Sequence, residues 1–395
     1  MRYTYSTGPG DEPFLSPDDL FPSQGMLDFL TQYGQDGLDA LDANDDEQLK
    51  ALIQEMIDAG LIERDEAGNL KLTPRMVRGL EHRALLEIFR DLRPGVRDGH
   101  QSPLPGRSGE RTDGTKPYHF GDPLSELAAH ETLGNAIRRV AREALAPEPA
   151  GPLIRFEERD IELNNVEATS ECATVVLLDL SGSMMRYGRH ISAKKVALGL
   201  RSLVRTKFPL DTIDFIGFAS IAESIRDADL PLIMPKPIST RQYEIRVRVP
   251  LDQADKTHPH FTNLHHGLQM ARSALARRGA PNKQIFIITD GEPTAHLTSA
   301  KEGIGQTLNL VYPPDPASSQ AALQEALRCQ QLGIRMSTFA LIEEYHGMDW
   351  VFWVGFVEQF TRLTRGVAYY CTAGDLSATL MESYLTGKKK RQALG

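Results

Sequence analysis

The sequence predicts an α/β protein with a doubly wound, mostly parallel sheet, preceded by a small, mainly helical domain. The apolar runs Val175–Leu178 and Ile285–Ile288 lack polar alternation, which is typical of strands covered by helices on both faces. Downstream of them, strand-like and helix-like patterns alternate, as a doubly wound fold requires. Near the amino terminus, the apolar residues recur instead at helical spacing.

The predicted strands of the sheet cover residues 174–179, 212–218, 284–289, 336–342 and 367–371. Predicted helices start near His190, Thr262, Ser318, Phe356 and Asp375. These elements place the α/β domain at residues 153–386, somewhat more than half of the chain.

Oxygen-bearing side chains follow two of the buried strands. Asp179, Ser181 and Ser183 come after the first strand, Asp290 follows another, and Thr262 opens a helix between them. Ligands bind at the carboxyl ends of such sheets, and carboxylate and hydroxyl oxygens suit Mg²⁺ or Mn²⁺. Because Asp and Ser are also ordinary turn residues, the Asp-x-Ser-x-Ser spacing alone is weak, and the convergence of three loops carries the prediction.

Taken together, Asp179-x-Ser181-x-Ser183, Thr262 and Asp290-Gly291 resemble the metal-ion-dependent adhesion site of the von Willebrand factor A (vWA) domain. The resemblance implies that the three hydroxyls contact the metal directly, while the two aspartates hold it, often through water. It further implies that an Asp or Glu of another protein, or of an internal acidic segment, supplies the sixth ligand. The chain departs from the family in the long segment 221–261, which is rich in Pro and charge.

An acidic chain with a carboxyl-terminal A domain is similar to the bacterial CoxE-like proteins and the magnesium-chelatase D subunit. That resemblance implies an adaptor or co-chaperone for an AAA+ ATPase of the MoxR or chelatase type, and no catalytic residues. Neither a nucleic-acid nor a membrane partner is expected.

Composition indicates the compartment. The formal charge of −9 disfavours non-specific attraction to nucleic acid or anionic lipid. Cys172, Cys329 and Cys371 are too few for a disulfide framework and favour a reducing cytoplasm. The amino terminus lacks an apolar secretory signal, and the most apolar window, residues 350–357, is too short to span a bilayer.

A helix, a β-hairpin over residues 61–73 and a second helix resemble a winged-helix module, which raises a DNA-binding regulator through residues 45–91 as an alternative function. Charge argues against it. Residues 1–91 carry 19 acidic and eight basic side chains, a net charge of −11, which would repel phosphates. A protein-interaction or structural role is favoured for this region.

The predicted domain boundaries follow composition. Residues 1–91 form the helical domain, 92–123 a flexible Gly-, Pro- and Arg-rich linker, 124–152 a connecting helix, 153–386 the vWA domain and 387–395 a basic tail. The helical domain is expected to fold apart from the vWA domain.

A metal-dependent phosphohydrolase with Asp179 as nucleophile, aided by Asp290, is another alternative. Enzymes resembling the haloacid dehalogenases place an acidic side chain two residues later, where this chain has Ser181, which argues against that chemistry.

The sequence around Thr262 contains four histidines, which are His258, His260, His265 and His266. Imidazoles suit Zn²⁺ or Ni²⁺, but the helix start at Thr262 would separate the two pairs, so residues at the rim of the site are favoured over a transition-metal site.

Overall fold

The computed structural model describes residues 25–91, 111–119, 127–143, 156–166, 171–240, 242–299, 305–342 and 348–386. Its central feature is a six-stranded sheet. The strands are β5 (Cys172–Asp179), β6 (Thr212–Phe218), β7 (Ala222–Ile225), β9 (Asn282–Thr289), β12 (Arg335–Leu341) and β13 (Val367–Cys371).

The strand order is β13-β12-β9-β5-β6-β7. All neighbours are parallel except β7, which pairs antiparallel with β6 at the edge. This arrangement confirms the predicted doubly wound α/β fold. In the centre of the sheet, Leu178 of β5 lies beside Ile288 of β9, so the loops after these two strands leave the same edge.

The sheet separates two hydrophobic cores, because successive side chains of a strand point to opposite faces. Val176 and Leu178 face helices α5 (Arg189–Lys207) and α9 (Leu376–Thr386). Val175 and Leu177 face the helices of the other side, which are α6 (Leu264–Ala276), α7 (Pro316–Gln331) and α8 (Met348–Thr364). Helix α8 begins eight residues before the predicted start.

A second, antiparallel sheet of three strands was not predicted. Its order is β10-β11-β8, formed by β10 (Ala295–Ser299), β11 (Gln306–Tyr312) and β8 (Ile245–Pro250). Its small core includes Phe261, which directly precedes Thr262. Strand β8 therefore accounts for part of the unusual segment 221–261.

The amino-terminal region contains α1 (Gly25–Asp42), α2 (Glu47–Asp58), the hairpin of β1 (Ile62–Arg64) and β2 (Leu70–Leu72), and α3 (Pro74–Asp91). The order helix, hairpin, helix agrees with the prediction. Asp46 accepts a hydrogen bond from the Gln48 amide and so caps α2.

This region does not form the separate unit expected from the sequence. The described residues up to 91 and from 172 onward make up one compact unit, and Leu80, Ala84 and Ile88 of α3 share a hydrophobic core with α5. The helices approach closely at Gly199, where a Cβ atom would lie 2.4 Å from Ile88 Cδ1. The apolar stripe of α3 predicted a buried face, but it could not indicate which surface covers that face.

A second compact unit comprises the described residues between 111 and 171. Strand β3 (Arg111–Pro117) pairs antiparallel with β4 (Glu162–Val166), and α4 (Ala129–Glu143) donates from Arg139 to Asp160 over 2.9 Å. Residues 111–117 are thus a strand and not linker, and residues 156–166, which the sequence assigned to the vWA domain, belong to this unit. The remaining linker, residues 1–24, residues 144–152 and the basic tail lie outside the described residues.

Candidate metal centre

Asp179 ends strand β5 and is almost fully buried, with 1% of its surface exposed. Both carboxylate oxygens accept hydrogen bonds. Oδ1 accepts from the Ser181 amide over 2.8 Å, and Oδ2 accepts from the Thr289 hydroxyl over 2.6 Å. These two bonds fix the carboxylate at the edge of the sheet.

Ser181, Ser183 and Asp290 form a continuous polar chain beside Asp179. The Ser181 and Ser183 hydroxyl oxygens are 3.1 Å apart, and the Ser183 hydroxyl donates to Asp290 Oδ1 over 2.7 Å. The other oxygen of Asp290 pairs with the guanidinium of Arg189, the first residue of α5. The loops after β5 and β9 therefore meet, as the sequence predicted.

Thr262 lies directly before α6, whose N-cap residue Asn263 accepts from the His266 amide. Its own amide donates to Thr294 Oγ1 over 2.8 Å, and its carbonyl accepts from the amide of Thr294. The Gly182 amide donates to the carbonyl of His260 over 3.0 Å. These bonds join the third loop to both of the others, and a metal contact of the Thr262 hydroxyl stays a prediction.

The electrostatics of this edge are dominated by negative charge. Burial, reinforced by the neighbouring charge of Asp290, raises the pKa of Asp179 to about 7. Asp290 pairs with the guanidinium of Arg189, and no ion pair of Asp179 is formed within the part of the chain that the structure describes. The deficit of positive charge is what a bound cation would relieve.

The donor set therefore fits a divalent cation. Two carboxylates and the hydroxyls of Ser181 and Ser183 are hard oxygen donors, and they lie within one hydrogen-bonded cluster. Sulfur and imidazole ligands are absent from this cluster, which suits Mg²⁺ or Mn²⁺ better than Zn²⁺.

The four histidines near Thr262 divide into two pairs with different roles. His258 and His260 are half-buried, and both lie within hydrogen-bond distance of the Ser239 hydroxyl, consistent with the rim. His265 accepts from the Leu297 amide and His266 from the Ala222 amide, so these two are structural rather than rim residues. Burial lowers the pKa of His265 to about 4.

Two residues at this edge were missed by sequence reasoning. Thr289 was detectable, because it is the last residue of the predicted strand and directly precedes Asp290. Arg189 follows no recognisable spacing, and only the fold brings it to Asp290.

None of the helices that the structure describes is long and apolar enough to cross a bilayer.

Comparisons with known proteins identify the domains. The family model described as the vWA domain of Rv0959-like protein matches residues 172–385, and the model of the third domain of the same protein matches residues 110–165. The second match lies within the second compact unit and includes strand β3.

The relatives found include uncharacterized protein Rv0959 of Mycobacterium tuberculosis and uncharacterized protein Mb0984 of Mycobacterium bovis. Each is 29% identical over 350 residues, which cover 88% of this chain and 46% of the relative. The chain thus spans about half the length of these relatives.

Among solved structures, the PilB minor pilin from Streptococcus sanguinis matches with a TM-score of 0.38 and 13% identity, covering 60% of this chain and 67% of that chain. The vWF domain of the type V pili tip protein Mfa5 from Porphyromonas gingivalis matches with a TM-score of 0.35 and 13% identity, covering 57% and 98%. At such low TM-scores these similarities add nothing to the assignment of the site. The family match extends over more than half of the residues, and the chain therefore belongs to the Rv0959-like vWA-domain family.

Proposed function

We propose that this chain is a Mg²⁺- or Mn²⁺-dependent protein-interaction module that serves as adaptor or co-chaperone for an AAA+ ATPase. The observation that carries the proposal is the hydrogen-bonded cluster of Ser181, Ser183 and Asp290 beside the buried Asp179. It gathers hard oxygen donors at the edge where doubly wound sheets bind ligands.

Each residue of the site has a distinct role in this proposal. The hydroxyls of Ser181, Ser183 and Thr262 would contact the metal directly, and Asp179 and Asp290 would hold it. A carboxylate oxygen of the partner would then coordinate the bound cation. Because the hydroxyls are neutral, they would leave most of that charge available to an Asp or Glu.

Binding is favoured over hydrolysis by the surroundings of Asp179. Both of its oxygens accept hydrogen bonds and the side chain is buried, so neither oxygen is poised for nucleophilic attack. The position of a general acid is taken by Ser181, which cannot fill that role at neutral pH.

The class of partner rests on the resemblance to CoxE-like proteins and the magnesium-chelatase D subunit. In that group the implied partner is an AAA+ ATPase of the MoxR or chelatase type. An acidic residue on such an ATPase would complete the site, and charge-assisted contacts in a partly buried setting are strong.

The test is affinity purification of the intact chain with Mg²⁺ and nucleotide, followed by mass spectrometry. We expect an AAA+ ATPase to be recovered with the parent chain and with Ser273→Ala, a control that removes an exposed hydroxyl on α6. Ser181→Ala with Ser183→Ala, or EDTA, should abolish recovery while circular dichroism stays unchanged. Recovery of the same ATPase under all four conditions would contradict the proposal.

A further inference from the structure

An apolar groove lies between α1 and the turn that follows the serines of the metal site. Its volume is about 600 Å³. Phe29 and Tyr33 of α1 form one wall, and Met185, Ile191 and Met234 form much of the other. We call it the α1 groove.

The α1 groove and the candidate metal centre share one turn of the chain. Met185 comes two residues after Ser183 and lines the groove. Gly188 and His190 also line it, and Arg189 between them pairs with Asp290. Residues of the metal site and of the groove wall therefore alternate within the short segment 183–190.

Large apolar side chains at the groove face solvent. Tyr33 is 49% exposed and Met185 is 47% exposed, and Tyr187, in the same turn, is 72% exposed. A cluster of exposed apolar side chains beside a polar site is typical of a protein-interaction surface.

A buried lysine lies behind one wall of the groove. The Lys194 ammonium is buried and lies 3.5 Å from the sulfur of Met234, a residue of the groove wall. It contacts the carbonyls of Leu30 and Pro231, and within the described ranges no carboxylate forms an ion pair with it. The exposed Asp36 is the acidic residue among those that line the groove.

We propose that the α1 groove binds a large apolar side chain of the same partner segment whose Asp or Glu completes the metal site. The occupant is thus a segment of another protein in which an acidic residue stands beside leucine- or phenylalanine-sized residues. This inference rests on the proposed function and deepens it by specifying the partner segment. It also gives the amino-terminal helices a role in recognition, because α1 forms one wall of the site.

The experiment measures binding of two fluorescent peptides to the full chain in Mg²⁺. One contains Leu-Phe-Asp-Phe-Leu and the other Ser-Ser-Asp-Ser-Ser, each between Gly-Ser flanks. Since burial of one large apolar side chain contributes appreciably, we expect the first peptide to bind roughly tenfold more tightly.

The groove variant is Tyr33→Ser with Met185→Ser, and its control is Leu210→Ser with Tyr312→Ser, which changes two apolar residues of similar exposure elsewhere. The groove variant should reduce the preference to about twofold or less, by loss of the buried apolar area, and leave calorimetric Mn²⁺ binding unchanged. The control variant should bind the apolar peptide in preference to the serine peptide as strongly as the parent does.

Failure of the two proposals can be distinguished. Suppose that the parent binds Mn²⁺ but does not prefer the apolar peptide, or that the groove variant prefers it as strongly as the parent does. In either case the groove proposal is wrong and the metal site stands. If Mn²⁺ does not bind, the proposed function fails. Concentration-dependent self-association that the groove variant abolishes would identify a second copy of the chain as the occupant and overturn the proposal. Peptide binding that appears only after removal of residues 1–24 would overturn it in favour of the chain's own segment.

Discussion

Two clusters of buried charge in this protein differ in how their charges are balanced. At the contact between α3 and α5, the buried Glu81 faces Arg201 and Arg205, and the exposed Asp227 pairs with the same two arginines. At the carboxyl edge of the sheet, Asp290 pairs with Arg189. Within the described residues, each acid of the first cluster has an arginine partner, whereas in the second cluster Asp179 has none.

The charged neighbours shift the pKa of the buried acid in opposite directions in the two clusters. Burial raises the pKa of Glu81, and the charges of Arg201, Arg205 and Arg78 partly offset this effect. For Asp179, the neighbouring Asp290 raises the pKa further in the same direction as burial. The first cluster therefore supplies its own counter-charge and is structural, whereas the second is suited to an added cation.

The largest effect is expected from breaking the structural cluster. Glu81→Gln removes the buried carboxylate and leaves the 4% exposed Arg201 with the exposed Asp227 as its acidic partner, so the free energy of unfolding should fall by about 3 kcal/mol. Urea denaturation measures the change. Asp45→Asn removes a fully exposed partner of Lys50 and should leave the free energy of unfolding essentially unchanged. A loss below about 1 kcal/mol for Glu81→Gln would show that Arg201 does not depend on this partner.

A buried lysine without an acidic partner sharpens the comparison. Burial lowers the pKa of Lys194 to about 7, from 10.5 for an ordinary lysine. Replacing it by the similarly sized Met should raise the free energy of unfolding by about 2 kcal/mol at pH 6. Between pH 7 and 10.5 the unfolded chain binds the proton and the native chain does not, so the parent gains stability as pH rises and the difference should shrink.

The adjacent Lys195 provides the matched control. It pairs with Asp28 and Glu87, which keep its pKa above the ordinary value despite burial. Its contribution is stabilising below the unfolded pKa, so Lys195→Met should lower the free energy of unfolding by about 1 kcal/mol at pH 6. Equal effects of the two substitutions would contradict the assignment of Lys194 as an unpaired buried charge.

The smallest expected effect is a change in Mn²⁺ affinity on replacement of Arg189. Its guanidinium competes with a divalent cation for Asp290, so Arg189→Gln should strengthen Mn²⁺ binding about fivefold, which corresponds to about 1 kcal/mol. Titration calorimetry with Mn²⁺ measures this change in affinity. Arg186→Gln changes the net charge equally at an exposed position of the same turn and should alter affinity by less than about twofold. Weaker binding in Arg189→Gln would mean that Arg189 orients Asp290 for the metal instead.

The central sheet was predictable because its strands carry uninterrupted apolar runs that end in polar loops. Strands β5, β6, β9, β12 and β13 lie within two residues of the predicted bounds. The same runs located Asp179 and Asp290, since the ends of neighbouring parallel strands meet in space.

What could not be predicted depends on contacts between distant parts of the chain. Ile245, Val247 and Val249 alternate with Arg246 and Arg248 as a strand pattern, but the pairing with β11 is more than 50 residues away. The stripe of α3 indicated burial without identifying α5 as the surface that covers it. Arg189 likewise reaches Asp290 across 101 positions of sequence.

The central claim, that the acidic cluster is a metal site, is tested most directly by Mn²⁺ calorimetry on the full chain. The control is Asp45→Asn with Asp58→Asn, which removes two exposed charges of the amino-terminal region. We expect the parent and this control to bind one Mn²⁺ with equal affinity. Asp179→Asn with Asp290→Asn should weaken binding at least roughly a hundredfold, because the carboxylates supply the negative charge of the site, and leave circular dichroism unchanged. Mn²⁺ binding as tight in this variant as in the parent, or no binding by the parent, would contradict the claim.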